Sequence, residues 1–449
     1  MTTVRLALIA ILITSALVSG AAAAPATDSA PVLTLGQAIQ IAIANNRPLK
    51  IVGLDVEKSK WQVAAAKTYR LPSFNTAMFA SGNLNSPSFV FKQGQLGKLN
   101  NGDPIPATNI KIPFSQGITG YALAQVAQPI SQLYKIHLSI WEQKLAVDLS
   151  NQQYRAQRNS VVSNVKQAYY AVLQTESSLD AAAATVKQYQ ETDRVSQQYV
   201  SQEAVLKSDS LEVKAKLAQA QYQIVQLQNT LQTQKEQLNN LLGRDLETEF
   251  RTEQVPATSL EELDLQLAQQ TALSQRPEVH EAEINVQKAD YDRRLAKADY
   301  IPNISAAFHY FTPLNTDLLP QNIASAGLDM TWEPFEWGRR KDQVKQKVIS
   351  LDQAQIQLKE AKSQVVLDVN NRYRKLSESR ALLAVAQAGR DAASEKLREI
   401  QDKFSQQTVL LKDVLQQQSA LANANNEYEE ALLGFWSAKA DFEKALGEE

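Results

Sequence analysis

One stretch of this chain occurs twice, and it limits the folds open to the rest. Residues 201–211 read Ser-Gln-Glu-Ala-Val-Leu-Lys-Ser-Asp-Ser-Leu, and residues 405–415 read Ser-Gln-Gln-Thr-Val-Leu-Leu-Lys-Asp-Val-Leu. A shift of 204 superposes Ser201 on Ser405, Val205 on Val409, Leu206 on Leu410 and Asp209 on Asp413, and runs without a gap to Gly243 and Gly447. Each copy is a polar break followed by an Ala/Leu/Gln-rich helical pattern that ends at Gly. Two helical hairpins with equivalent tips, at about 200–209 and 404–413, are predicted. Duplication on this scale sets the architecture before any local reading.

The duplication extends upstream. Ala38, Ile39, Ala42 and Ile43 line one face of a helical run that Asn45-Asn46-Arg47-Pro48 interrupts, and a second run continues to Tyr69. Leu265, Ala268 and Ala272 repeat that face, followed by Gln275-Arg276-Pro277 and a run to Tyr300. Arg47-Pro48 matches Arg276-Pro277 at an offset of 229, and Leu71-Pro72 matches Ile301-Pro302 at 230. The repeats therefore read as residues 25–250 and 251–449.

Each Leu/Ile-Pro pair closes a helix, because the residue before proline is pushed out of the helical region. Strands are expected next, at about 73–83, 117–128, 303–312 and 324–333. Ile304, Ala306, Phe308 and Tyr310 alternate with Asn303, Ser305, Ala307 and His309; Ala326, Leu328, Met330 and Trp332 alternate with Gly327, Asp329, Thr331 and Glu333. A period of two with one apolar face marks a half-buried strand. The pattern suits either a soluble β-subdomain or a barrel with lipid outside and water inside. The first pair of strands alternates less cleanly. Between paired strands lie loops, Pro72 to Pro129 spanning 57 residues and Pro302 to Pro334 spanning 32; the longer one is Gly/Asn/Pro turn chemistry without period.

The segments from about Ser131 to Tyr199 and Gly338 to Phe404 contain no Pro. A helix of ~70 residues would be ~100 Å long. In the first return helix Leu217, Ile224, Leu231 and Leu238 recur every seven residues, as do Val213, Ala220 and Leu227. That heptad signals coiled-coil packing. A coiled-coil spacer with a small β part is thus one reading; a membrane duct is another.

Residues 1–24 carry Arg5, an apolar run from Leu6 to Val18 and a small-residue stretch, the order of a secretory signal peptide. Beyond it no apolar run approaches the roughly 18 residues of a membrane helix. Membrane placement would then require a closed barrel. The absence of Cys excludes disulfides, thiolate metal sites and lipidation at an N-terminal Cys. A net charge of −2 offers nucleic acid no electrostatic footprint. His137, His280 and His309 show no ligand spacing, and neither a P-loop nor a Gly-x-Ser-x-Gly elbow occurs. No cofactor, metal or enzymatic role is expected.

The order helix, strand, loop, strand, long helix, tip, return helix, completed twice, resembles the TolC-like outer-membrane efflux protein family over the whole mature chain. The Leu-Thr-Leu opening, the Asn-Asn-x-Pro break, the Leu-Pro-Ser-Phe strand entry and Trp332-Glu333-Pro334-Phe335-Glu336-Trp337-Gly338 carry the resemblance, with the Asp-x-Leu tips and the Leu-Leu-Gly and Ala-Leu-Gly helix ends. It implies a mainly α fold with a transmembrane β part. Three chains would close a 12-stranded β-barrel in the outer membrane, continuous with a 12-helix α-barrel in the periplasm. The homotrimer would be the passive exit duct of a tripartite efflux pump, its tips docked to a periplasmic adaptor and an inner-membrane transporter. An exit duct for type I protein secretion is the alternative within the family.

The resemblance places Asp413, with Asp209 as its first-repeat counterpart, at the pore entrance. Three carboxylates around a narrow pore would select cations; as helix-start residues, both Asp also read as caps. The family's second pore aspartate is Gln416 here, and its entrance tyrosine and arginine are Phe404 and Val409. Its tip glycines are Glu203 and Gln407. Val205, Leu206, Val409 and Leu410 would face the adaptor.

Overall fold

The computed structural model describes residues 31–82, 84, 88–113, 118–202, 206–253, 264–315, 320–406 and 408–447. The predicted leader at 1–24, and Glu203, Val205 and Gln407 at the tips, lie outside the described residues. The first repeat runs β1 (Val32–Leu33), α1 (Leu35–Asn45), α2 (Arg47–Thr68), β2 (Ser73–Gly82), β3 (Ser88–Phe91), β4 (Ile110–Pro113), β5 (Ile118–Pro129), α3 (Gln132–Ser201) and α4 (Lys207–Leu242). The second runs β6 (Arg251–Thr252), α5 (Leu265–Gln275), α6 (Pro277–Ala298), β7 (Asn303–Leu314), β8 (Ile323–Thr331), α7 (Arg339–Ser405) and α8 (Leu411–Leu446).

The helices pair across the repeats by length. Helices α1 and α5 have 11 residues each, α2 and α6 have 22, α4 and α8 have 36, and the long helices α3 and α7 have 70 and 67. Local chemistry sets their starts. Thr34 and Gln37 form a reciprocal capping box on α1, and the Asp264 carboxylate accepts from the first amides of α5. Asn46 caps α2 by accepting the Leu49 N–H at 3.0 Å, while its amide donates to the Leu241 carbonyl at 2.8 Å. One side chain thus starts α2 and ties it to the end of α4.

The main core lies where the short helices α1 and α5 pack on the four long ones. Tyr169 and Val172 of α3, Leu238 and Leu242 of α4, Val369 of α7 and Phe442 of α8 are buried there with Phe250, Ala38 and Ala272. Each large apolar side chain removed from water contributes about 1.5–3 kcal/mol. The two-residue strands β1 and β6 pair in parallel and bring the repeats together. The buried Tyr169 hydroxyl fastens that pair to α3, donating to the Leu33 carbonyl at 2.8 Å and accepting the Glu253 N–H at 2.9 Å. Lys235 and Glu176 form a half-buried ion pair beside it.

The heptad positions face inward as expected. Val213 and Leu238 are fully buried and Leu217, Ala220 and Leu231 pack partly buried against the clusters, whereas Tyr222 and Val225, off the stripe, are exposed.

The four main strands form one antiparallel sheet in the order β2-β5-β7-β8. Register separates two faces. Phe74, Met78, Val126, Ala124, Phe308, Tyr310, Leu328 and Met330 share one; Asn75, Ser81, Gln125, Ser305, His309, Ser325 and Asp329 share the other. Strands β2 and β8 are the sheet's edges, each with one side unpaired within the chain, and both are exposed along nearly their whole length.

The long connection between β2 and β5 departs from the structureless loop expected of it. Ser88–Phe91 and Ile110–Pro113 pair as a hairpin, Phe89 opposite Ile112 and Phe91 opposite Ile110. Strands of four residues are too short for alternation to show, and the 18 residues between them hide their partnership. Among the described residues no helix is long and apolar enough to cross a membrane.

Candidate functional site

The two tips are built alike but held differently. Leu206 and Leu410 each stand in extended conformation just before the return helix, and both are exposed. At the second tip the Asp413 carboxylate accepts the Leu410 N–H at 3.0 Å, closing the first turn of α8. Asp209 makes no such bond; its carboxylate accepts from the Ser208 hydroxyl at 3.2 Å. Asp413 is therefore a cap whatever else it does, whereas Asp209 is held by its neighbour. Both Asp are half-buried, and Gln416, one turn beyond Asp413, is exposed.

Phe404 lies at the end of α7, half-buried against Tyr189, Val213, Leu411 and Leu415 and edge-on to Tyr199 with ring centroids 6.1 Å apart. Val409 is half-buried and Thr408 closes the turn, donating its N–H and hydroxyl to the Lys403 carbonyl at 3.1 and 2.9 Å. The structure thus brings Phe404 and the base of α8 together in one apolar knot and leaves Leu206, Leu410 and Gln416 pointing to solvent.

Residues that sequence patterning passes over pin the hairpins to each other. The Tyr189 hydroxyl lies 3.3 Å from the Ser419 hydroxyl, and the buried Gln418 amide donates to the Thr192 hydroxyl at 3.2 Å. Ser196 and Ser210 hydroxyls meet at 3.3 Å within the first hairpin. Small polar residues at helical spacing are the signal, but Gln and Ser are so common here that spacing alone does not single them out. On the outer flank of α7, Lys403 and Lys396 bracket Glu399, whose carboxyl their hydrogen bonds pull down to about 2. Exposed pairs of this kind add little to stability.

At the other end of the molecule, the polar face of the sheet carries a compact cluster. Asp329 receives a contact of 3.1 Å from His309 Nε2 and one of 3.4 Å from the Gln125 amide. Above it the aromatic rings of Phe79, Tyr121 and Phe311 follow one another at 5.5 and 5.7 Å between centroids. The opposite face presents Phe74, Met78, Leu328 and Met330 outward. Where the sheet meets the long helices, Tyr69, Tyr134, Tyr300, Trp332, Phe335 and Trp337 are exposed, an aromatic belt of the sort that marks a membrane–water boundary. Among the described residues no group of His, Asp and Glu is arranged to hold a metal ion. His137 is engaged instead by Arg70 at 3.3 Å and by the Trp141 indole at 2.9 Å.

A family model described as outer membrane efflux protein matches residues 38–244 and 268–448. The alkaline protease secretion protein AprF of Pseudomonas aeruginosa is 21% identical over 299 residues, 65% of this chain and 62% of that protein. The match thus spans less than two thirds of that relative's length. Among solved structures, CusC, studied for the conformational changes accompanying folding and transmembrane channel formation, superposes with a TM-score of 0.76 at 17% identity over 92% of each chain. The CmeC outer membrane channel of Campylobacter jejuni superposes with a TM-score of 0.73 at 17% identity, over 92% of this chain and 85% of that one.

Proposed function

Because this chain belongs to the outer membrane efflux protein family, we propose that it is the passive exit duct of a tripartite efflux pump. As a member of that family it is a channel protein of the outer membrane that reaches into the periplasm, and not an enzyme. The reading beyond the family rests on one observation. A four-stranded sheet with an apolar face, a polar face and two unpaired edges stands at the end of two long helical hairpins.

Four strands cannot close on themselves, and lipid tolerates no open edge. Two copies would give eight strands, a barrel whose interior its own side chains fill. Three copies give twelve, the smallest of these closures with room for a water-filled lumen. The edge β2 of one protomer would pair with β8 of the next, the apolar face turned to lipid. The α-hairpins would then form a 12-helix barrel below, with the repeats 25–250 and 251–449 contributing equally.

The tips would meet a periplasmic adaptor and an inner-membrane transporter. Leu206 and Leu410, exposed and equivalent, are apolar contacts for such a partner, with Val205 and Val409 beside them in sequence. Asp413 and Asp209 would ring the entrance, with Phe404 and Gln416 at its edge. The sequence contains no nucleotide-binding loop of its own, so the energy would come from the transporter. The likeness to a protease secretion protein favours a second reading, an exit duct for type I protein secretion.

The test is the mass of the detergent-purified protein by light scattering, followed by conductance in a planar bilayer. A trimer with discrete openings is expected. A monomer that stays soluble without detergent and conducts nothing would leave a periplasmic spacer.

A further inference from the structure

The polar face of the sheet is not uniformly polar. Beyond the Gln125–His309–Asp329 cluster on the same face, Phe311 stands two residues past His309 and Tyr121 four residues before Gln125, opposite Phe79. The three rings form a ladder across β2, β5 and β7, stacked between Phe79 and Tyr121 and tilted between Tyr121 and Phe311. Phe79 is 51% exposed and Tyr121 39%. Rings so placed are anomalous for a wall that meets water, and exposed apolar groups in a polar setting are the informative kind. The ladder is held closely. A Cβ on Gly120, next to Tyr121, would stand 2.1 Å from the Phe79 carbonyl oxygen, so β2 and β5 approach there as only glycine allows.

The strands contribute one carboxylate to this face. Among the residues of strands β2, β5, β7 and β8 on this face the only acid is Asp329 and none is Lys or Arg; at the helix end the Lys135 ammonium of α3 reaches Asn303 at 3.3 Å. The strands run outward from the helices in β2 and β7, so Asp329 and His309 sit on the helix side and the ladder on the outer side.

The geometry points to a cargo-contact site for organic cations that carry an aromatic or planar group. This inference rests on the sheet's polar face being the lumen of the trimeric duct. A carboxylate below and aromatic faces above are the two groups that together recognise such a cation, the first by charge and the second by cation–π and stacking contact. In the trimer, threefold repetition would place three carboxylates in one ring and nine aromatic rings in the next. A cation leaving the helical duct would meet the acidic ring first and the aromatic ring last. A small inorganic cation would feel only the first.

The experiment uses the full-length protein in planar bilayers with potassium chloride. Benzyltrimethylammonium and tetramethylammonium serve as blockers, equal in charge and different in one ring. Wild-type channels are expected to be half-blocked at a lower concentration of the benzyl compound. Phe79→Ser with Phe311→Ser is expected to raise that concentration about threefold to tenfold, the loss of one or two cation–π contacts, and to leave tetramethylammonium unchanged. Asp329→Asn is expected to weaken both blockers alike. Equal block by the two cations in wild type, or an unchanged preference in the double variant, would overturn the site while the duct stands. Absence of any wild-type conductance would overturn the duct and the site together. Phe79→Cys, introduced into a chain with no native Cys, gives a readout that needs no loss of two rings. A water-soluble, cationic thiol reagent should modify it and abolish the benzyl preference; a thiol inert to that reagent faces lipid and refutes the proposal.

Discussion

Gly243 and Asn45 are in backbone contact: a Cβ on Gly243 would stand 2.3 Å from the Asn45 carbonyl oxygen. Gly243 ends α4 at φ +69 and donates its N–H to the Asn240 carbonyl at 3.1 Å. Its twin Gly447 ends α8 at φ +80, where the nearest atom to an added Cβ is the Gln275 carbonyl carbon at 3.1 Å. Both positions need the left-handed region, which costs an L-residue about 1–2 kcal/mol. Only Gly243 also forbids the methyl sterically. Gly243→Ala is expected to lower the thermal midpoint of the detergent-solubilised protein more than Gly447→Ala, by helix signal in circular dichroism. Equal shifts would mean that the α1–α2 junction gives way freely.

The Tyr169 hydroxyl serves three backbone groups, the Leu33 and Glu253 carbonyls and the Glu253 N–H. Burial, the largest cause, pushes its ionisation upward from the ordinary tyrosine value. Tyr169→Phe keeps the ring and takes the hydroxyl away from these backbone groups. The expected loss is about 1–3 kcal/mol, the cost of leaving buried polar groups unpaired. Hydrogen exchange should show faster loss of protection at Arg251–Glu253 than elsewhere in the core, whereas uniform loosening would deny the hydroxyl its fastening role.

Arg276 joins α6 to α7, its guanidinium 2.6 Å from Asp368 and 2.9 Å from Glu278. Burial pushes the Glu278 carboxyl upward, but the Arg276 hydrogen bond and charge outweigh burial and hold it below its ordinary value. A carboxyl depressed in the folded state contributes stability above its unfolded pKa and loses it as pH falls through the folded one. Stability is therefore expected to fall on acidification below about pH 4.5, and Arg276→Gln should flatten that part of the curve. An unaltered acid limb in Arg276→Gln would assign the acid sensitivity to other carboxylates.

Much of this was legible in the sequence because the duplication repeats every long-range decision twice. The gapless offset from Ser201 to Gly243 predicted return helices of equal length, and α4 and α8 each have 36 residues. Strands β7 and β8 announced themselves through Ile304-to-Tyr310 and Ala326-to-Trp332 alternation. Strand β2, expected at about 73–83 and found at Ser73–Gly82, alternates less cleanly because Phe79 stands on the face otherwise marked by Asn75 and Ser81, and that same breach makes the aromatic ladder. Short pairings escaped altogether. Val32–Leu33 and Arg251–Thr252 are two residues each, and no local pattern can reveal a partner some 219 residues away. At the tips, Asp413 and Asp209 looked equivalent in sequence, yet among the described residues only Asp413 bonds the backbone ahead of its helix, because that choice depends on rotamer and not on residue type.

That difference makes the roles of Asp413 separable. Its carboxylate accepts the Leu410 N–H at 3.0 Å, a bond that an amide oxygen also accepts. Asp413→Asn therefore keeps the cap and removes the charge, while Asp413→Ala removes both. If Asp413 acts only as a cap, the Asn variant should match wild type in conductance and cation selectivity, and the Ala variant should lose about 1 kcal/mol of stability. If its charge also rings the entrance, the Asn variant should lose cation selectivity with its thermal midpoint unmoved, because charge rings act on ions whatever holds the helix. Asp209→Asn is the control, since among the described residues its carboxylate bonds the Ser208 hydroxyl and not the backbone. The proposed entrance predicts a smaller, additive loss of selectivity there. Reversal potentials under a salt gradient, read beside melting curves for the three variants, decide between the two, and selectivity unchanged in both Asn variants would remove these carboxylates from the ion path.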